Sequence, residues 1–209
     1  MGQPKYQVDG DPRTSGPGFA ITVHADTLEI PYRWRTPRTV FVNSMSDLFH
    51  ERVDVGFIAD VFNVMADCPQ HTFQVLTKRS KRLVAVANKL VWPSNVWMGV
   101  SIENDRYGFR ADHLRAVNAA VRFLSVEPML GPVEKLDLGA IHWVIAGGES
   151  GPQARPVDAG WVRNIRDRCQ GAGIPFFFKQ WGGRTPKAGG RSLDGRTWDE
   201  TPEVLPVAG

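Results

Sequence analysis

The 209 residues, 42% of them hydrophobic, are enough for one domain with a sizeable core. The formal net charge of +3, from 25 basic and 22 acidic residues, does not by itself indicate nucleic-acid binding, because the sequence contains no block of like charge. Two isolated cysteines, Cys68 and Cys169, exclude a disulfide framework and a cysteine zinc knuckle. Because no apolar run reaches the length of a membrane span, we expect a cytoplasmic protein with no membrane partner.

From Thr39 onward the chain repeats one pattern, in which a short apolar run is followed by polar residues and then by a helical spacing of apolar residues. Residues 1–38 are rich in turn formers, and we expect them to wrap irregularly around a (β/α) barrel domain at 39–183. Residues 184–209 are predicted to be an irregular tail. The predicted strands lie at 39–43, 72–77, 96–101, 121–125, 142–146 and 175–178.

Helical patterns follow most of these strands. Ile58, Val61, Phe62 and Met65 fall on one face of the first predicted helix. The run from Val40 to Val42 has the composition of a strand that is buried on both faces. A connection with Gly and Pro replaces a clear helix after the fourth strand. Asp158 is the predicted N-cap of the last helix.

Strands that alternate with helices imply right-handed crossovers and a parallel sheet, either closed like a TIM barrel or open and doubly wound. In both architectures the polar residues after the strands meet at one edge, which is where ligands bind. Carboxylates after three strands, with lysines after two others, therefore predict a site for a small polar ligand. The residues concerned are Asn43, Ser44, Asp47, Lys78, Ser101, Glu103, Asn104, Ser125, Glu127, Gly147, Gly148, Glu149 and Lys179.

The segment Gly147–Gly151, GGESG, has two interpretations. Its glycines either form a tight turn or allow backbone N–H groups to face an anion. It is not a dinucleotide-binding fingerprint, because no third glycine opens a helix at the required spacing. The five histidines show no metal-ligand spacing, so we expect no metal site.

Six segments together resemble the three-Cys-motif proteins of phages and prophages, which are classed as radical S-adenosylmethionine-like. The resemblance runs in order from Met1 to about Trp198. It implies a partial (β/α)6 TIM-like barrel and S-adenosylmethionine as a cofactor. The segments are VFVNSMSDLFHE, FQVLTKR, VWMGVSIEN, RFLSVEPMLGP, WVIAGGESGPQARP and PFFFKQWGG.

One departure from that family bears on activity. In longer relatives, three closely spaced cysteines that would ligate a [4Fe–4S] cluster precede a stretch that resembles Met1–Tyr6. Two isolated cysteines cannot replace them. The resemblance therefore implies that this chain holds no cluster, is inactive in radical chemistry and binds S-adenosylmethionine only weakly. It also implies that the first barrel strand is missing, which would leave the strand at Thr39–Val42 as an exposed edge.

The family's roles carry over by position in the barrel. Asn43, Ser44 and Asp47 would hold the amino group of the cofactor, and Ser101, Glu103 and Asn104 its ribose or carboxylate. Ser125, Gly147 and Gly148 follow the next two strands, and Lys78 completes the cofactor-binding set.

Three functions stay open from the sequence. The first is a radical S-adenosylmethionine-like phage protein without its cluster. The second is a cluster-independent enzyme with Glu127, Glu149 and Lys179 as acid–base groups. The third is a phage protein that uses the same scaffold to bind a host protein or nucleic acid, for which Arg79, Lys81 and Arg82 form the best short basic cluster.

Overall fold

The computed structural model describes residue 21, residues 23–42 and residues 46–203. Its centre is a single sheet of six strands, all parallel, in which strands that follow one another in sequence lie side by side. The sheet curls into a half-barrel, so the fold is α/β and a partial TIM-like barrel, as predicted. The strands are β1 (Thr39–Val42), β2 (Thr72–Thr77), β3 (Val96–Ser101), β4 (Val121–Val126), β5 (Trp143–Gly147) and β6 (Phe176–Gln180).

Four α-helices of the described chain pack against one face of this sheet. Aspartates cap the two longest: Asp54 accepts a hydrogen bond from the Gly56 N–H, and Asp158 accepts from the N–H groups of Gly160 and Trp161. As predicted, β4 leads to β5 without an α-helix between them. The helices are α1 (Val55–Ala66), α2 (Ser80–Val86), α3 (Phe109–Arg115) and α4 (Ala159–Gly171).

The main core lies between the helices and the sheet. Ile58, Phe62 and Met65 of α1 are buried there, which confirms the predicted face of the first helix. One expectation about burial is wrong. Phe41 in β1 is 43% exposed, so β1 is not buried on both faces.

The opposite, concave face of the sheet carries a second apolar layer, which we call the aromatic floor and define as Trp97, Phe123, Trp143 and Phe177. Its members come from β3, β4, β5 and β6. Trp143 is central, with ring centroids 5.9 Å from Trp97, 5.7 Å from Phe123 and 6.2 Å from Phe177. Gly99 makes room for this layer, because a Cβ there would lie 2.4 Å from the Phe123 ring.

The two edges of the sheet differ. At β6, the Phe178 N–H donates to the Trp198 carbonyl at 2.9 Å and the Glu200 N–H donates to the Phe176 carbonyl, so the tail covers that edge. At β1, pairing is with β2, and no other described residue pairs with the strand. This agrees with the expectation of an edge strand at 39–42.

Within the described ranges, every helix is too short or too polar to cross a bilayer.

Candidate functional site at the carboxyl end of the sheet

Parallel strands bring their carboxyl ends to one edge, and the polar residues predicted from the sequence meet there. Ser101 and Ser125 are direct partners across β3 and β4. Alternate residues of a strand lie on the same face of a sheet. Ser125 follows Phe123 by two residues and Lys179 follows Phe177 by two, so both lie on the concave face. Ser101 lies on the same face, as the partner of Ser125. The floor is thus apolar and the strand ends above it are polar. We call Lys78, Ser101, Glu103, Ser125, Glu127 and Lys179 the strand-end site.

The most unusual group of the strand-end site is Glu127. Its side chain is 17% exposed, and its Oε1 lies 3.4 Å from Nζ of Lys179, whose side chain is 56% exposed. The Ser125 hydroxyl donates to Glu127 Oε2 at 3.5 Å. Burial raises the pKa of Glu127, while Lys179 and Ser125 oppose the shift without cancelling it. A carboxyl with a raised pKa keeps its proton to a higher pH than an exposed one.

Glycine places Glu127 against the sheet. A Cβ at position 147 would lie 2.5 Å from Glu127 Oε1, so the glutamate occupies space that only Gly147 leaves open. The Met129 N–H donates to the Gly147 carbonyl at 2.9 Å and fixes the loop that carries Glu127. Gly147 therefore acts as a positioning residue.

Glu103 forms the second part of the strand-end site and is held by two cations. Its Oε1 lies 2.6 Å from Lys78 Nζ, and its Oε2 accepts from Arg110 Nη1 at 2.9 Å. Arg110 also donates to the Ser101 carbonyl at 2.7 Å and stacks over the Tyr107 ring at 4.3 Å. This network makes Glu103 a fixed anion with its charge compensated.

The main chain joins the two parts. The Ile102 N–H donates to the Ser125 carbonyl at 2.9 Å, and the Leu130 N–H donates to the Glu103 carbonyl at 2.8 Å. The loop after β4 is thereby tied to the loop after β3, so Glu103 and Glu127 stand at adjacent strand ends.

Glu149 lies further along the same edge and is engaged differently. Arg155 binds it in a bidentate manner, at 2.8 Å to Oε2 and 2.7 Å to Oε1, and the Arg155 N–H adds a third hydrogen bond. These bonds lower the pKa of Glu149 to about 2. A carboxylate held in this way stays ionised at neutral pH and is a poor proton donor or acceptor.

The segment GGESG interlocks with the loop after β6. The Gly148 N–H donates to the Gln180 carbonyl, and the Gly183 N–H donates to the Glu149 carbonyl at 2.8 Å. A Cβ at position 148 would lie 2.0 Å from the Trp181 carbonyl oxygen. The Gly148 N–H is used within the chain and so does not face an anion, and the structure adds a third reason for a glycine at this position, the close packing of two loops.

Asp47 and Asn104 hold loops in place. Asp47 accepts from the Thr77 hydroxyl at 2.7 Å, from the N–H groups of Phe49 and Lys78, and from Arg79 Nη1. Asn104 caps a short 3-10 helix by accepting from the Arg106 N–H. Both side chains thus have partners in the chain at positions where the resemblance implied contacts with a cofactor. Asn43 and Ser44, the remaining predicted residues, lie outside the described residues.

Neither cysteine lies at the strand-end site. Cys68 and Cys169 are buried in the core between helices and sheet, and burial raises the pKa of both thiols, that of Cys169 to about 12. In the described part of the chain, no group of three or more His, Cys, Asp or Glu residues is arranged to hold a metal ion. These residues therefore do not fit a [4Fe–4S] cluster.

The sequence did not indicate the two arginines that bind glutamates at the strand ends. Arg110 follows Glu103 by seven residues, and Arg155 follows Glu149 by six. A glutamate at a strand end with an arginine on the following loop or helix is a usable signal. The spacing alone does not decide the pairing, because the path of the intervening loop sets the distance.

Comparison with known proteins gives one match. The profile of a family described as "Protein of unknown function (DUF5131)" matches residues 3–202. The search of curated proteins and the search of solved structures returned no match.

Proposed function

The chain belongs to the DUF5131 family, and we propose that its strand-end site binds a small ligand that carries an amino group, a carboxylate and an aromatic or apolar part. The observation that carries the proposal is the position of the Glu127–Lys179 pair, beside the Lys78–Glu103–Arg110 network and over the aromatic floor. Each charge sign of such a ligand has a partner there.

S-adenosylmethionine is the first ligand to test, because the resemblance to radical S-adenosylmethionine-like proteins implies it and the donor set fits it. Glu127, with one exposed lysine as its partner, can accept a hydrogen bond from an ammonium group. Lys179 and Lys78 are each about half exposed and can turn toward a carboxylate. Of the aromatic floor, the partly buried Phe177 is the member that can contact an adenine ring or the sulfonium group, because Trp97, Phe123 and Trp143 are at most 5% exposed. When bound, the cofactor would supply a positively charged sulfonium centre.

Acid–base chemistry is a second candidate, and the buried, partly compensated Glu127 favours it. With its pKa raised by burial, Glu127 can exchange a proton with a ligand while Lys179 stabilises the ionised form. Glu149 is less suited to this role because Arg155 holds it ionised. Of the three acid–base residues predicted from the sequence, we thus retain Glu127 and Lys179 as candidates and assign Glu149 to anchoring its loop.

Isothermal titration calorimetry at millimolar S-adenosylmethionine tests the binding proposal. We expect a saturating heat in the parent chain, and weaker binding in Glu127→Gln and Glu103→Gln. Glu134→Gln is the matched control because Glu134 is exposed and lies in the same loop region as Glu127. Binding that is equal in all four proteins would place the ligand elsewhere. No heat in the parent would overturn the assignment of this ligand and leave acid–base chemistry as the candidate.

A second measurement concerns the cluster. After anaerobic reconstitution with iron and sulfide, we expect the purified 209-residue chain to stay colourless and to retain no stoichiometric iron. The physical reason is that its two thiols are buried apart in the core. Brown absorbance with stoichiometric iron would show that other ligands exist and would contradict this proposal.

A further inference from the structure

A second cleft lies beside the strand-end site, on the side of α2 and α3. It has a volume of about 290 Å³. Five of its lining residues are cationic and one is acidic. We call it the basic cleft, lined by Glu51, Lys78, Arg79, Ser80, Lys81, Arg82, Phe109 and Arg110.

The cations of the basic cleft are not all compensated. Lys78 and Arg110 share Glu103, and Arg79 pairs with Asp47 at 3.3 Å. Lys81 is exposed and has no ion pair among the described residues. Arg82 Nη2 donates to the Val53 carbonyl at 2.6 Å. Its buried Nε has no hydrogen-bond partner among the described residues. Five cations thus face three carboxylates, those of Glu51, Asp47 and Glu103, which leaves an excess of two positive charges.

The wall of the cleft also carries an exposed aromatic ring. Phe109 is 44% exposed at the start of α3. One edge of its ring packs on His113 at 5.5 Å, and His113 is in turn held by the Ser80 hydroxyl at 2.9 Å. The ring thus has one aromatic neighbour while much of it faces solvent.

We propose that the basic cleft binds single-stranded nucleic acid, with phosphates at Lys81 and Arg82 and one base stacked on Phe109. Uncompensated cations attract phosphate and release counterions, and an exposed aromatic ring supplies a base-stacking surface. The cations converge on one cleft instead of forming a long stripe, which suits a single flexible strand better than a duplex. Lys78 and Arg110 line the basic cleft and also hold Glu103 of the strand-end site, so the test relies on Lys81 and Phe109, which are not part of that site.

Fluorescence anisotropy with a labelled oligothymidylate of about 12 nucleotides, within the size range of single-strand sites, tests the proposal. Lys81→Ala should weaken binding and reduce the slope of log K against log salt concentration by about 0.7, the value for one phosphate contact on a single strand. Lys89→Ala is the control. Lys89 is an exposed lysine just after α2 and outside the cleft, and its variant should keep the slope of the parent.

Phe109 variants separate stacking from charge. Phe109→Leu should weaken binding roughly tenfold at unchanged salt slope, because stacking on an aromatic ring contributes about 1–3 kcal/mol per base, whereas Phe109→Tyr should bind like the parent. Circular dichroism with thermal melting establishes that each variant is folded. The proposal is overturned if the parent does not bind the oligonucleotide, if Lys81→Ala and Lys89→Ala have the same slope, or if a duplex of equal length binds as tightly.

Discussion

Glu127 and Glu149 stand at the ends of neighbouring strands of one sheet, yet their surroundings are opposite. Glu127 is buried beside a single half-exposed lysine, and its pKa is raised. Glu149 receives three hydrogen bonds from Arg155, and its pKa is lowered to about 2. The difference shows that position at a strand end does not define the chemistry of a carboxylate. The number of donors and the access of water define it.

The largest loss of stability is expected from a substitution of Gly148, which lets the loop of Glu149 pack against the loop after β6. Gly148→Ala would place a Cβ 2.0 Å from the Trp181 carbonyl oxygen, which belongs to the backbone and cannot turn aside. We expect the free energy of unfolding to fall by about 3 kcal/mol, at the upper end of the cost of overpacking. Urea denaturation measures it. The control is Gly171→Ala at the end of α4, where a Cβ meets nothing within 4 Å and stability should change little.

The second effect concerns the cation beside Glu127. Lys179→Met leaves the buried carboxyl without its ion-pair partner, so its pKa should rise further. Because Lys179 is more than half exposed, solvent already screens the pair, and we expect a loss of stability of about 1 kcal/mol at pH 7. The double variant Glu127→Gln/Lys179→Met tests whether this loss comes from the ion pair. Lys179→Met should cost less stability in the Glu127→Gln background, where position 127 is uncharged, than in the parent. Equal costs in both backgrounds would show that the ion pair does not contribute.

The third prediction separates the glutamates by the sign of their pH dependence. A raised pKa in the folded state means that the contribution of Glu127 is full below the unfolded value of 4.5 and is lost as the pH rises through the folded pKa. The stability of the parent relative to Glu127→Gln should therefore fall with rising pH above about pH 4.5. Thermal melts of the parent and of Glu127→Gln at a series of pH values above about 4.5 measure this difference in stability. A flat difference would mean that burial does not shift this group.

For Glu149 the sign is reversed. Its lowered pKa contributes stability that is full above 4.5 and is lost as the pH falls toward about 2. We expect Glu149→Gln to be less stable than the parent at pH 6 and to approach it in acid, with a smaller change than at Glu127 because the Arg155 pair is exposed. An acid titration followed by circular dichroism measures this difference. A gap that widens in acid would contradict the assignment.

Much of the fold could be predicted because apolar runs and helical spacings report local structure directly. The six strands and the parallel order follow from them, and so does the edge at which Ser101, Ser125 and Glu127 meet. The exposure of Phe41 could not be predicted, since an apolar run in a strand does not reveal whether a neighbour covers it. The aromatic floor was also missed. In β3, β4 and β5 both faces are apolar, which hides the alternation that separates Trp97 and Phe123 from the helix-facing core.

Within the site, the sequence indicated the carboxylates and lysines but not how they are paired. Asp47, which was predicted to contact a cofactor, accepts hydrogen bonds from Thr77, Lys78 and Arg79, and the sequence did not indicate these partners. Arg110 and Arg155 were absent from the prediction. Their reach depends on loop geometry, which is set by tertiary packing and does not show in residue spacing.

The interlocked loops after β5 and β6 also have a consequence for local opening. The amides of Gly148 and Gly183 are each bonded to a carbonyl of the opposite loop, and the Gly189 amide is bonded to Gly182. Because these bonds cross between the two loops, we expect the loops to open together. In native-state hydrogen exchange these three amides should behave as one cooperative unit with a common free energy of opening. Opening of this unit would also free the backbone carbonyl of Glu149, which accepts from the Gly183 N–H in the closed state.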